Sequence, residues 1–519
     1  MKTRLLLAFC LVFTVARAGF PFAEATIDGL QGEMQAGRVT AHELTAAYLQ
    51  RIAEIDQAGP GLHAVLEINP DALAIADELD AERKAGHVRG PLHGIPVLIK
   101  DNIDTADKMQ TTAGSLALVG QKVPRDAFVA ARLRAAGAVI LGKTNCSEWA
   151  NFRGNNSSSG WSGRGGQTRN PYALDRNPSG SSSGSAVAVA ANLCVVAIGT
   201  ETNGSIVSPA SACGIVGVKP TVGLVSRDGI IPIAASQDTA GPMARTVRDA
   251  VLVLAALAGK DGRDPATGGI PDGLAAELAA PLRPGALRGA RIGVVHGPFG
   301  FHARMEPALA ALVAALRAAG AEVVDPVKVG SLGKFGSATG DLLSYEFKDG
   351  LNRYLAEPGR VTPIRSLADL IVFNEAHRAE ELAFFGQEDF TAAQARGPLT
   401  DQAYLDTQAK CLKLARTEGL DAALDADKLD ALVMFTRGVA TLTDPLNGEG
   451  GSGSSSTLAA VAGYPSVTVP AVQFFGLPVG LSFVGRSWSE AKLLALAADF
   501  EAVTKARREP QFRPTAELK

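Results

Sequence analysis

The chain has 519 residues, 46% of them hydrophobic, and its 50 Lys and Arg nearly balance 53 Asp and Glu for a formal net charge of -3. A charged fraction of 20% is too low for a disordered chain, and the near-neutral balance offers no sequence-wide grip on nucleic acid or an anionic membrane. The length is enough to bury a large core.

In chain order, Met1-Lys2-Thr3-Arg4 is a short basic start, Leu5 to Val15 is apolar, and Ala16-Arg17-Ala18 forms an A-x-A cleavage site before Gly19. This predicts a signal peptide over residues 1–18 and a secreted or periplasmic protein with no membrane contact after signal removal. The apolar run is shorter than the roughly 18 residues of a spanning helix, and Cys10 behind bulky Phe9 does not suit lipid attachment. Thr40-x-x-Glu43 is a capping box that opens a helix, and Asn69-Pro70 opens another. Gly94 to Lys100 reads as a buried strand ending in lysine, Ala127 to Ala136 as a helix closed by Gly137, and Ala138 to Leu141 as the next strand. Asn155 to Ser185 is crowded with Gly, Ser and Asn. A small-residue helix is predicted at Ala186 to Ala191 and a strand at Val195 to Ile198. Further strands are predicted at 291–295, 430–433, 466–469 and 479–484, with helices at 307–319 and 491–503. The Gly/Ser run from Asn447 to Ser456 reads as a mobile loop. Alternating strands and helices predict an α/β protein with a mixed or largely parallel sheet covered on both faces.

Beyond Cys10, the cysteines are Cys146, Cys194, Cys213 and Cys411. They are too sparse for a disulfide framework and show no metal-ligand spacing, so they are expected to be small buried residues. No cofactor or metal is predicted.

Two general motifs match and neither suits its setting. Gly137 to Thr144 fits the P-loop pattern, but Ala138-Val139-Ile140-Leu141 favours a strand where an open phosphate-binding loop is needed. Gly180-Ser181-Ser182-Ser183-Gly184 fits a nucleophile elbow centred on Ser182, yet turn-like Asn177-Pro178-Ser179 precedes it where a strand is required. The histidines beyond it, His296, His302 and His377, stand in no suggestive context. A third constellation fits better: Lys100 after its strand, the serines from Ser181, and Gly199-Thr200-Glu201-Thr202-Asn203-Gly204-Ser205 after another strand. Gly204 ahead of a serine allows close backbone approach, and consecutive N–H groups in such a turn make an anion-binding nest of the kind an oxyanion hole requires.

These three segments, with Gly142-Lys143-Thr144-Asn145, resemble the amidase signature family in order and spacing, and the resemblance extends over most of the chain. Ser147 to Arg153, Ser159-Gly160-Trp161-Ser162, Leu343 to Phe347 and Val461 to Ser466 look most like its peptide amidases, which remove ammonia from C-terminally amidated peptides. The resemblance implies one large α/β domain over 19–519, with a central mixed twisted sheet covered by helices on both faces and a signature core at about 86–260. It also implies a Ser-cisSer-Lys site. Ser205 would be the nucleophile, Ser181 the proton bridge held by a cis Gly180-Ser181 peptide, and Lys100 the base. The backbone around Thr202, Asn203, Gly204 and Ser205 would form the oxyanion hole, with Ser182 a supporting hydrogen-bond partner. Lys100 works only when neutral, which calls for burial, and Asp101 would oppose that unless it points away.

Three departures from the family pattern bear on the acyl pocket: Ser179-Gly180 in place of two glycines, Val207 in place of an arginine, and Phe435-Thr436 in place of Pro-Thr. The implied substrate is a peptide or small-molecule amide, with no nucleic acid partner. Rival readings are an aryl or aliphatic amidase, an amide-oligomer hydrolase, or a transamidation subunit, which export would separate from aminoacylated tRNA. From a different class, an inactive amidase-like binding protein would keep the fold without turnover.

Overall fold

The computed structural model describes residues 20–297 and 303–518. The expected signal peptide, Gly19 and His302 lie outside the described residues. Eleven strands form one sheet: β1 (Val65–Ile68), β2 (Pro96–Lys100), β3 (Val139–Thr144), β4 (Val196–Glu201), β5 (Val216–Lys219), β6 (Thr239–Ala244), β7 (Arg291–Val294), β8 (Glu322–Val324), β9 (Ala431–Phe435), β10 (Ser466–Phe474) and β11 (Leu477–Val484). Their spatial order is β1-β3-β2-β4-β6-β5-β10-β11-β9-β7-β8. Pairing is parallel within β3-β2-β4 and within β9-β7-β8. It is antiparallel across the middle, from β4 through β6, β5, β10 and β11 to β9. The sheet is therefore mixed, and the largely parallel alternative is excluded. One cause is the tight β10–β11 connection, where Phe475 and Gly476 both take positive φ and turn the chain straight back on itself.

Every residue of β2, β3 and β4 is buried, so both faces of this part of the sheet are covered. Cover on these strands includes the helix Ser183–Ala190, all eight of whose residues are buried. Its small side chains allow that. A Cβ on Gly184 would sit 2.3 Å from the Ala64 carbonyl oxygen and 2.5 Å from the Asn145 nitrogen. The second glycine of the apparent elbow is thus required by helix-to-backbone contact.

The expected helix starts hold. Glu43 N–H donates to Thr40 Oγ1 at 3.0 Å, and Thr40 N–H donates to Glu43 Oε2 at 2.9 Å, opening the helix Ala41–Arg51. Asn69 Oδ1 accepts from Asp71 N–H at 3.0 Å ahead of the helix Ala72–Lys84, and its Nδ2 donates to the Ile140 carbonyl at 2.8 Å, tying that start to β3. The strand expected at 138–141 runs on to Thr144, and the helix expected at 186–191 begins earlier, inside the serine cluster. The helices Ala338–Leu355 and Gln402–Ala415 occupy a stretch for which the sequence predicts none. Cys146, Cys194, Cys213 and Cys411 are free and buried.

Candidate active site

The parallel strands β2 and β4 are neighbours, so their C-terminal ends deliver Lys100 and Glu201 to the same edge of the sheet. Lys100 is fully buried. Its Nζ lies 2.8 Å from Ser181 Oγ, 2.9 Å from Thr200 Oγ1 and 3.3 Å from the Thr200 carbonyl. Asn102 Nδ2 donates to the same Thr200 hydroxyl at 3.0 Å. Burial pulls the Lys100 pKa below the ordinary lysine value, against weaker opposing pulls from Cys146, Asp238 and Glu201. Asp101 points away from it, accepting from Gly114 N–H at 3.0 Å and from Arg164 at 3.3 Å, with a further hydrogen bond from Thr112.

Ser181 is fully buried and follows a cis Gly180-Ser181 peptide. The serines after it are structural. Ser182 Oγ donates to the Thr200 carbonyl at 3.0 Å and accepts from Thr200 N–H at 3.2 Å. Ser183 Oγ donates to the Ser179 carbonyl at 2.6 Å, and Ser185 Oγ to the Ile198 carbonyl at 3.0 Å. With its hydroxyl spent on the backbone, Ser182 is no elbow nucleophile. His296 lies far from it, between Glu306 and Asp325, and His377 packs on Phe373. The P-loop reading fails as well: Gly142, Lys143 and Thr144 lie in β3, and Lys143 Nζ is buried against the Ile103 carbonyl at 2.5 Å and Thr111 Oγ1 at 2.9 Å.

The turn after β4 carries Thr202, Asn203, Gly204 and Ser205. Ser182 N–H donates to the Ser205 carbonyl at 3.1 Å, which sets the two serine segments side by side. Ser205 keeps 8% of its surface exposed, whereas Lys100 and Ser181 keep none. Among the described residues, the N–H groups of Thr202, Asn203, Gly204 and Ser205 make no hydrogen bond, so four neighbouring donors are unused. Gly204 has φ +88°. A side chain there would be strained, and its Cβ would lie 2.8 Å from Ser456 Oγ.

Buried Glu201 and half-buried Asp238 brace the two ends of this turn. Glu201 Oε2 accepts from Ile206 N–H at 2.8 Å and Val207 N–H at 3.0 Å. Asp238 accepts from Thr202 Oγ1 at 2.5 Å and from the N–H groups of Ile233 and Ala234 at 2.8 and 2.9 Å. Burial nevertheless pushes the Asp238 pKa up to about 6. Sequence reasoning missed Asp238, which carries no motif. Thr200 and Glu201 lay inside a quoted string, but nothing marked their roles.

At the departures, Ser179 takes φ +62°, the conformation a glycine adopts freely, and Val207 is buried. Thr436 Oγ1 meets Thr468 Oγ1 at 2.6 Å and Ser482 Oγ at 2.8 Å inside the sheet. The Gly/Ser run expected to be mobile is tied in both halves: Asn447 N–H donates to Asp444 Oδ1 at 2.9 Å, Gly438 N–H to the Ser452 carbonyl at 2.9 Å and Ser455 N–H to the Thr436 carbonyl at 3.0 Å. A cavity of about 510 Å³ opens beside Thr200 and Thr202, walled by Ala150, Ile231, Ile233 and Tyr354 among others.

A buried lysine, a cis-linked serine and a serine on a glycine turn, gathered at the ends of a mixed α/β sheet, accord with the match of residues 43–494 to the Amidase family. The chain belongs to that family, and so is an amidase, a hydrolase of carbon–nitrogen bonds. It is 56% identical to the native peptide amidase from Stenotrophomonas maltophilia, covering 95% of this chain and 99% of that one, with a TM-score of 0.90. A complex of the peptide amidase PAM with the competitive inhibitor chymostatin gives 56% identity over 95% of this chain and 100% of that one, with a TM-score of 0.91. A probable amidase of Arabidopsis thaliana is 41% identical over 98% of this chain and 97% of its own length.

Proposed function

We propose that this protein hydrolyses the C-terminal amide of peptides and releases ammonia through an acyl-enzyme on Ser205. The observation that carries the reading is the buried 2.8 Å contact of Lys100 with Ser181, in a chain 56% identical to peptide amidases.

In this mechanism Ser205 Oγ attacks the amide carbonyl while its proton passes to Ser181, whose own proton passes to neutral Lys100 Nζ. The carbonyl oxygen gains charge and is held by N–H groups of the turn Thr202, Asn203, Gly204 and Ser205. Losing one such donor typically costs about 2.7–4 kcal/mol. The relay then runs backward, the leaving nitrogen takes a proton, the C–N bond breaks and ammonia departs. Water attacks the ester by the same route and frees the peptide acid. The cavity beside Thr202, whose walls mix apolar Ala150, Ile231 and Ile233 with charged Arg227, Asp228 and Glu357, suits the peptide portion of a substrate.

Specificity for the terminal amide needs a closed end beyond the scissile bond, with room for ammonia and none for a further residue. A clash of that kind discriminates strongly, because water cannot relieve it. The test compares an amidated dipeptide with the same dipeptide extended by one residue, following ammonia and free amino acid. Ammonia from the first alone is expected. Equal cleavage of both, or cleavage of simple aryl amides only, would replace this reading with a broader amidase. We also propose that residues 1–18 direct export.

A further inference from the structure

The geometry points to Ser456 and Thr457 as positioning residues that hold the oxyanion turn from the far side, through the side chain of Asn203. The inference rests on the oxyanion role proposed above for that turn.

Unused N–H groups in a row stabilise a single oxygen only if they converge, and their directions depend on the backbone torsions of Asn203 and Gly204. Gly204 has no side chain and sits at φ +88°, so it supplies no handle of its own. Asn203 does, and both ends of its amide are held. Ser456 Oγ donates to Asn203 Oδ1 at 2.7 Å, and Asn203 Nδ2 donates to Thr457 Oγ1 at 3.4 Å. Ser456 Oγ also stands where a Cβ on Gly204 would come within 2.8 Å, so the same hydroxyl backs both residues of the turn.

The holding segment is itself anchored. Ser454 Oγ bonds Ser456 Oγ at 2.9 Å and approaches Ser208 Oγ at 3.5 Å, beyond the nucleophile. Ser455 Oγ donates to the Thr436 carbonyl at the end of β9 at 3.1 Å. Arg437, next along, donates to Ser452 Oγ at 2.6 Å and Glu449 Oε1 at 3.2 Å. At its other side the segment opens the helix Thr457–Ala462, with Ala460 N–H donating to the Ser456 carbonyl at 2.9 Å. The turn after β4 is thus gripped by a strand end and a helix start more than two hundred residues away. Removing these hydroxyls leaves every reacting group in place and frees the donors to turn. Such a loss is felt more in the transition state, where the oxygen is charged, than in the bound substrate.

The test uses the full-length processed enzyme as wild type, Ser456→Ala, Thr457→Val, the double variant and Ser456→Thr. It measures kcat and KM on an amidated dipeptide, and inhibition by the matching peptide aldehyde, which adds a serine to give a tetrahedral oxyanion. The double variant is expected to lose about 10–100-fold in kcat with KM within about 3-fold, and aldehyde affinity should fall by a similar factor. Binding of the peptide acid should be unchanged, and Ser456→Thr should recover most of the rate by restoring the hydroxyl. Unchanged kcat and aldehyde affinity in the double variant would overturn the inference, as would a rise in KM alone or equal weakening of aldehyde and acid. A wild type that releases no ammonia from amidated peptides overturns the proposed substrate instead. The clamp is then read from the labelling rate of Ser205 by a fluorophosphonate, which should fall in the double variant and recover in Ser456→Thr.

Discussion

Lys100 Nζ lies 2.8 Å from Ser181 Oγ, and neither side chain has any exposed surface. A lysine so placed gives up its proton more readily than a free one, because burial penalises the ammonium form. The rate kcat/KM should therefore rise from acid pH along a limb that belongs to the coupled Lys100–Ser181 pair. Lys100→Met should remove most of the rate and that limb. Asp238, pushed up to about 6, titrates nearby, so Asp238→Asn serves as the control and should keep the lysine limb while shifting it to lower pH, since the Asp238 charge opposes the fall in the Lys100 pKa. A full limb surviving in Lys100→Met would remove the lysine from the mechanism.

The same burial makes stability depend on pH. The folded pKa of Lys100 is lowered, so the unfolded chain binds more protons between that value and about 10.4, and stability rises with pH across the window. Lys100→Met has no such term. Its melting temperature is expected to equal or exceed that of wild type at pH 6, with the difference shrinking as pH climbs through the window. A difference that grows with pH would contradict the sign.

Ser205→Ala should abolish acylation and leave the melting curve intact, since it removes one oxygen from a partly open site. Ser182→Ala should do the reverse. It deletes a hydroxyl that both donates to and accepts from the buried backbone of Thr200, at a cost of about 1–3 kcal/mol in stability, while labelling of Ser205 persists. Denaturant unfolding and mass spectrometry of phosphonate-treated protein measure the two effects. An inert Ser182→Ala would return that serine to candidacy as nucleophile.

Ser179→Gly should leave the protein as stable as before or more stable by up to about 1 kcal/mol. A left-handed non-glycine residue costs roughly 1–2 kcal/mol, which glycine relieves while giving back part through the entropy of the unfolded chain. Urea midpoints of the two proteins check this. A drop of more than about 1 kcal/mol would mean that the Ser179 side chain contributes a contact of its own.

Exported protein should begin at Gly19, with residues 1–18 removed. Intact mass of material recovered outside the cytoplasm decides it, and retention of Met1 to Ala18 there would refute the export proposal.

The readings that came from sequence alone are those that depend on local chemistry. The Thr40–Glu43 capping box, the apolar run into Lys100 and the glycine before Ser205 are each encoded within a few neighbouring residues. Even the conflict in the Gly137–Thr144 string was legible, because a run of Ala, Val, Ile and Leu prefers a strand. Strand β6 was hidden, since Gly241 and Pro242 look like breakers; yet a Cβ at Gly241 would lie 2.0 Å from the Val218 carbonyl oxygen, so the neighbouring strand demands the glycine. The antiparallel middle of the sheet was hidden for a similar reason, as its tight turn uses Phe475-Gly476 and carries no Asn-Gly or Asp-Gly signal. Asp238 under Thr202 and Ser456 against Asn203 are contacts between segments distant in the chain, and no spacing rule records them. Tertiary structure decided these contacts because hydrogen-bond geometry and desolvation act on distance in space, and only the assembled sheet brings these segments within reach of one another.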